Sequence, residues 1–169
     1  MRKLAILLSA ERPLHDETTR GVVDTNILIL RARIDPSELP QEIAISAVTL
    51  AELAAGVHLV RGDTPYDIAE RARRVDILQR VEREFDPLPF DAATARFFGR
   101  LSAAVLAIGR TPRRRIADLM IAATAASRDL FLYTTNPDDY LGLSDVVTVV
   151  PIKRPPDQPY PSERRHAGR

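Results

Sequence analysis

The chain reads as an α/β protein, an α/β/α sandwich around a mostly parallel central sheet of four to five strands. Three observations predict this. Short apolar runs alternate with longer segments of helical spacing through the middle of the chain, the pattern of strands joined by crossover helices. The 169 residues fit one domain with tails, long enough to bury a core unaided. There is no cysteine, so neither a disulfide framework nor a thiolate zinc site holds the fold.

Taken in order, Gly21-Val22-Val23-Asp24 is a short buried strand, and Ile27 to Ile34 is a helix. Glu42 to Ser46 is the second strand. Thr49 to Val60 is a helix, with Leu50, Leu53, Ala54 and Val57 at helical spacing. Pro65 opens a helix at its first turn, which runs to about Phe85. Pro87-Leu88-Pro89-Phe90 is a third strand at best, because proline confines it to an edge or a strand start. Asp91 caps a helix to Ile108. Arg115 to Ser127 is an almost wholly apolar helix, Leu130 to Thr134 a strand, and Val146 to Val150 the last strand.

Residues 1–20 form an extension, either native or the product of a start codon placed too early. Its Met1-Arg2-Lys3 and short apolar run resemble a signal peptide only faintly, since Glu11-Arg12-Pro13 is a poor cleavage context. Residues 21–152 are the folded domain. Residues 153–169 carry four prolines among charges and almost no core formers, so a disordered tail is expected. No apolar run is long enough to cross a membrane, and a cytoplasmic location is expected. The net charge of +1 makes the whole chain no strong polyanion binder, so any grip on nucleic acid must come from local clusters.

Four carboxylates stand where strands hand over to helices: Asp24, Glu52, Asp118 and Asp139. In a parallel sheet, ligands bind outside the carboxyl ends of the strands. Asp24 ends the first strand, Glu52 opens the helix after the second, and Asp139 follows the Leu130–Thr134 strand. The Asp118 helix precedes that strand and runs antiparallel to it, so its start reaches the same rim. Each acid alone has a structural explanation. Thr49-x-x-Glu52 reads as a capping box, Asp24 as a cap, and Asp118 and Asp139 as first-turn acids favoured by the helix dipole. Four at one rim are harder to explain so. Their flanks are apolar, and a buried acid needs a partner; hard oxygen ligands suit Mg²⁺ or Mn²⁺. For Asp118 the alternative partners are Arg114 and Arg115.

These residues fall into a known pattern. Val23-Asp24-Thr25-Asn26, Ser46-x-Val48-Thr49-x-Ala51-Glu52-Leu53-x-x-Gly56, Pro89-Phe90-Asp91, Arg115-Ile116-Ala117-Asp118-x-x-Ile121-Ala122-Ala123-x-Ala125 and Thr134-x-Asn136-x-x-Asp139-Tyr140 occur in order. The chain resembles the PIN-domain nucleases, and within them the VapC-like toxins of toxin–antitoxin pairs, over about residues 21–152. The resemblance implies a PIN-like fold and an acidic quartet, Asp24, Glu52, Asp118 and Asp139, binding one or two Mg²⁺ or Mn²⁺ ions. Thr134, Asn136 and Asn26 would support it. It also implies a small DNA-binding, VapB-like antitoxin whose tail covers the site, and a homodimer. Tyr140 departs from the Phe frequent in the family.

The activity so implied is metal-dependent RNA phosphodiester cleavage by an activated water. Asp24, Glu52 and Asp118 are the core acids, with Asp139 more peripheral. His15, His58 and His166 fall in no motif, which argues against a histidine-based ribonuclease. Arg113, Arg114 and Arg115, directly before the Asp118 helix, are the candidates for holding RNA phosphates. Arg71, Arg73 and Arg74 read instead as an exposed face paired with Glu70 and Asp76. Structured tRNA or ribosomal RNA with unpaired loops is the expected substrate. The rival reading is a catalytically silent PIN-type protein that binds RNA or a partner. A haloacid-dehalogenase-like phosphatase would want an aspartate where Asn26 stands, and a dinucleotide enzyme a glycine-rich turn after the first strand.

Overall fold

A computed structural model describes residues 20–156, apart from the side chain of Arg114. Residues 1–19 and 157–169, where most of the expected extension and tail fall, lie outside the described residues. Among those described, four strands form one all-parallel sheet in the order β2-β1-β3-β4: β1 Arg20–Val23, β2 Glu42–Ala44, β3 Phe131–Thr134 and β4 Val149–Pro151. The helices are α1 Thr25–Leu30, α2 Ala47–His58, α3 Pro65–Glu84, α4 Ala92–Ala107 and α5 Ile116–Ala126.

The sheet divides two cores, as the period-2 alternation of strand side chains requires. Val22 and Leu132 face one core, with Leu101 and Val105 of α4 and Leu119 and Ile121 of α5. Val23 and Tyr133 face the other, with Ile27 and Leu28 of α1, Leu53 of α2, and Ile77 and Val81 of α3. Both faces are covered, so the strands read as apolar runs rather than alternating ones.

Several elements depart from expectation. Pro87–Phe90 is not a strand; only a parallel bridge joins Ser46 to Leu88, because the two prolines leave no donors for a longer ladder. The first helix starts at Thr25 and tightens after Leu30 into a 3₁₀ turn, Arg31–Arg33. The last strand begins only at Val149. The amides of Val146 and Val147 instead bond the Leu143 carbonyl in a turn.

The capping box Thr49–Glu52 does not form. Ser46 is the cap of α2, and its hydroxyl accepts from the Thr49 amide at 3.0 Å. Glu52 is thereby left free for another role. Asp91 does cap α4, accepting from the Thr94 amide at 2.9 Å. Asn136 makes no side-chain cap, and it leads into a single 3₁₀ turn, Pro137–Tyr140, rather than a longer helix.

Arg71 and Arg74 are half-buried rather than part of an exposed face. Arg74 donates to the Gly56 carbonyl at 2.7 Å and Arg71 to those of Val60 and Gly62, so both satisfy carbonyls at and beyond the C-terminus of α2. Arg73 and Arg74 pair with Glu70, as expected, and hold its carboxyl down at a pKa of about 2.

Candidate active site

The strand order reverses direction between β1 and β3, since β1 leads outward to β2 on one side and the chain returns to β3 on the other. A crevice opens at such a point, outside the carboxyl ends of the two strands. Asp24 follows β1 there, and Thr134 ends β3. Asp24 is 3% exposed, and its Oδ2 accepts from the Thr134 hydroxyl at 2.9 Å. The same hydroxyl oxygen accepts from the Asn136 amide at 2.9 Å, which orients it. Burial raises the Asp24 pKa. The Thr134 hydroxyl and the amides of Thr25 and Asn26 oppose that shift, and Asp139 adds to it.

Glu52 comes from one turn into α2, half-buried, and accepts a hydrogen bond from the Thr25 hydroxyl. Burial raises its pKa, Thr25 opposes, and the Asp24 charge adds to the rise. Asp118, in the first turn of α5, is pushed up to about 6, first by burial and then by Asp24, Asp139 and Glu52; Arg115 works against them. Asp139 lies on the 3₁₀ turn and pairs with Arg115 at 3.0 Å. The topology thus brings all four acids into one electrostatically coupled group. Among the described residues, no three such side chains stand close enough to enclose an ion as they are. Each of three carboxylates is turned to a neighbour: Asp24 to Thr134, Glu52 to Thr25, Asp139 to Arg115.

The arginines are placed differently from expectation. Arg115 does not face outward: its Nη1 also donates to the Asp138 carbonyl at 2.9 Å, where Arg110 joins it at 3.1 Å. Arg113 is exposed. From beyond β4, Arg154 donates to the Asn136 side-chain oxygen at 3.1 Å. Asn136 is therefore held by Arg154 and Thr134, and Asn26 lies half-buried in the first turn of α1. His58 is exposed at the end of α2.

Sequence reading missed Thr25, Arg110, Arg154 and the hydroxyl of Tyr140. The ring of Tyr140 lies in the α4–α5 core, and its hydroxyl is buried without a hydrogen-bond partner. Burial, then the charges of Asp24, Asp118, Asp139 and Glu52, push its pKa far above the ordinary phenol range. Beside Glu52 an open cleft of about 260 Å³ is lined by Thr25, Ile29, Leu53, Gly56 and Ile77, with Arg73 and Arg74 also on its wall.

A four-stranded parallel sheet with helices on both faces, and one buried and three half-buried carboxylates beyond its strand ends, defines a small α/β protein of the PIN-like class. The chain belongs to the PIN domain family, whose pattern matches residues 21–141. It is 39% identical over 136 residues to Ribonuclease VapC5 of Mycobacterium tuberculosis, spanning 79% of this chain and 94% of that protein. Ribonuclease VapC8 of the same species is 35% identical over 106 residues, 62% of this chain and 89% of its own. Among solved structures, VapBC-5 of M. tuberculosis, a member of the VapBC family of toxin–antitoxin systems, superposes with a TM-score of 0.65 at 37% identity, covering 80% of this chain and 99% of that one. VapBC2 of Rickettsia felis, solved on a promoter DNA fragment, shares the fold at a TM-score of 0.59 and 19% identity, over 80% of this chain and all of that one.

Proposed function

We propose that this protein is the toxin of a toxin–antitoxin pair, a Mg²⁺- or Mn²⁺-dependent endoribonuclease whose site is Asp24, Glu52, Asp118 and Asp139. The observation that carries the reading is the gathering of four carboxylates at the switch point, Asp24 buried and Asp118 half-buried beside the other acids. Ribonuclease is the activity named for VapC5 and VapC8, and the VapBC-5 assembly supports a VapB-like antitoxin as partner.

The donor set fits a hard divalent cation. It is all oxygen, and it carries like charges whose repulsion a cation relieves. Such an ion, when bound, would lower the pKa of water and neutralise charge at the scissile phosphate. Asp24 and Asp118 would hold it, with Asp139 more peripheral. Glu52, its pKa raised by burial, is suited to accept a proton from the attacking water. Thr134 keeps Asp24 turned toward the crevice. Arg113 and Arg114 remain the residues we assign to RNA phosphates, in tRNA or ribosomal RNA.

No helix of the described residues is long and apolar enough to cross a membrane. A cytoplasmic location and a homodimer are part of the same proposal and rest on the resemblance to the VapC-like toxins.

The test is cleavage of end-labelled tRNA and ribosomal RNA by purified protein with Mg²⁺, Mn²⁺ or EDTA, beside Asp118→Asn. Discrete cuts that need metal and vanish in the variant are expected. RNA binding without cleavage in any lane would favour the silent, binding-only reading.

A further inference from the structure

The first residues of the expected tail are tied to the domain. Ile152 is 5% exposed, in the core of Val23 and Ile27, and its amide donates to the Thr134 carbonyl at 2.8 Å. The Lys153 amide donates to the Glu38 carboxylate, on the 3₁₀ turn Pro36–Glu38, at 3.1 Å. The Pro156 carbonyl accepts from Arg33 at 3.0 Å. Pro155 and Pro156 have fixed φ angles, so residues 152–156 form a strap that is stiff as well as anchored. Ordering a charged, proline-rich stretch costs conformational entropy, and that calls for a reason.

Arg154 lies in the middle of this strap, and its Nη1 donates to the Asn136 side-chain oxygen at 3.1 Å. Asn136 is tied to the acids on two sides. Its amide donates to the Thr134 hydroxyl that holds Asp24, and its carbonyl accepts from the Asp139 amide at 3.1 Å. A guanidinium is thus fixed on the residue that links the partners of two acids, and it stays exposed to solvent. A neutral amide oxygen needs a donor but no permanent charge. The guanidinium offers a charge and a planar fork of donors, the geometry that matches a phosphate. Arg115 differs, since its charge is set against Asp139.

We propose that Arg154 contacts the RNA backbone: the strap 152–156 holds its guanidinium at the mouth of the acidic site, where it takes a phosphate next to the scissile one. The inference rests on the ribonuclease reading of the acidic quartet. It adds a cation that follows β4 to those that precede α5.

The experiment measures binding of labelled tRNA in Mg²⁺ between about 50 and 200 mM salt. The proteins are the full chain with Arg154, Arg154→Gln or Arg154→Lys, each also carrying Asp118→Asn so that the RNA stays whole. Cleavage by the chain without Asp118→Asn is followed alongside, with a thermal melt of each protein. Glutamine can still donate to Asn136 but carries no charge; lysine keeps both. Weaker binding by Arg154→Gln is expected, with a log–log salt slope shallower by about 0.7 to 0.9, the value of one phosphate contact. Arg154→Lys should keep the original slope, and both should melt near the parent. An unchanged affinity and slope in Arg154→Gln, with cleavage intact in the wild type, overturns this proposal and leaves the ribonuclease reading standing. Weaker binding by both variants at an unchanged slope assigns Arg154 to the orientation of Asn136 and also overturns it. Neither binding nor cleavage by any of the proteins overturns both.

Discussion

Arg115 and Asp139 are joined at 3.0 Å between the start of α5 and the turn after β3, and the same guanidinium nitrogen holds the Asp138 carbonyl. Arg115 therefore orients the fourth acid. Both side chains are about one-third exposed, so the pair itself contributes no more than about 1 kcal/mol to stability. Arg115→Gln should melt close to wild type. It should lower kcat, by about tenfold as for other residues that support ion ligands, with KM for RNA little changed. Arg113→Gln, exposed and unengaged with the acids, should do the reverse. Steady-state cleavage of a defined RNA checks both, and a rise in KM alone for Arg115→Gln would return that residue to phosphate binding.

The carboxyl of Asp118 titrates at about 6, against 3.8 for the unperturbed group. An acid with a raised pKa binds its proton more tightly folded than unfolded. Between these values the native state holds more protons, so the contribution of Asp118 to stability falls as pH rises from about 4 to 6 and stays low above. In Asp118→Asn that fall should shrink, the raised carboxyls of Asp24 and Glu52 still contributing, measured as denaturant midpoint against pH in EDTA. Metal opposes the same charge repulsion, so Mn²⁺ should stabilise the wild type more at pH 7.5 than at pH 5.

Much of this geometry is legible in the sequence, and the reasons differ by residue. The placement of Asp24 and Asp118 comes from strand and helix direction alone, because a parallel sheet puts strand ends and helix starts on one rim. The turn of Arg115 toward Asp139 cannot be read so, because a run of arginines looks the same whether it faces solvent or a carboxylate. Ser46 and Thr49 are both good caps three residues apart; Ser46 prevails where the bridge to Leu88 pins the chain just before α2. Val146 and Val147 have the composition of a strand, yet their amides are spent in a turn. The bond from Thr25 to Glu52 spans 27 positions, and no local pattern encodes it. Tyr140 has the sequence context of an ordinary aromatic, and only burial reveals a hydroxyl with nothing to bond.

Thr134 serves Asp24 and Asn136 with one oxygen. Thr134→Val keeps the shape and removes both bonds. Losing a buried hydrogen bond to a carboxylate costs about 2 kcal/mol, and the Asn136 amide loses its acceptor as well. Asp24 is already raised by burial and would rise further, so the variant should bind Mn²⁺ more weakly at neutral pH and unfold at lower denaturant. Thr134→Ser, which retains the hydroxyl, should recover most of the affinity. Equal affinity in all three proteins would remove Thr134 from any part in the site.

The register that places Asp24 beside Thr134 depends on a glycine. Gly21 of β1 pairs with Phe131 of β3, and the ring of Tyr133 folds back across it. A Cβ on Gly21 would lie 2.3 Å from Tyr133 Cε2 and 2.7 Å from Cδ2, inside any allowed contact. Tyr133 is 2% exposed, so its ring has no open space to enter. Gly21→Ala should therefore cost about 1–3 kcal/mol, the usual penalty of an overpacked core. Its cause is steric, so a smaller side chain at 133 should relieve it: Gly21→Ala with Tyr133→Leu should be less destabilised than the sum of the single variants. The Asp24 amide bonds the Tyr133 carbonyl at 2.9 Å, so strain there is passed to the acid itself. A double-mutant cycle by urea unfolding, followed by Mn²⁺ titration of each variant, measures both effects, and simple additivity would show that the ring and the glycine are not in conflict.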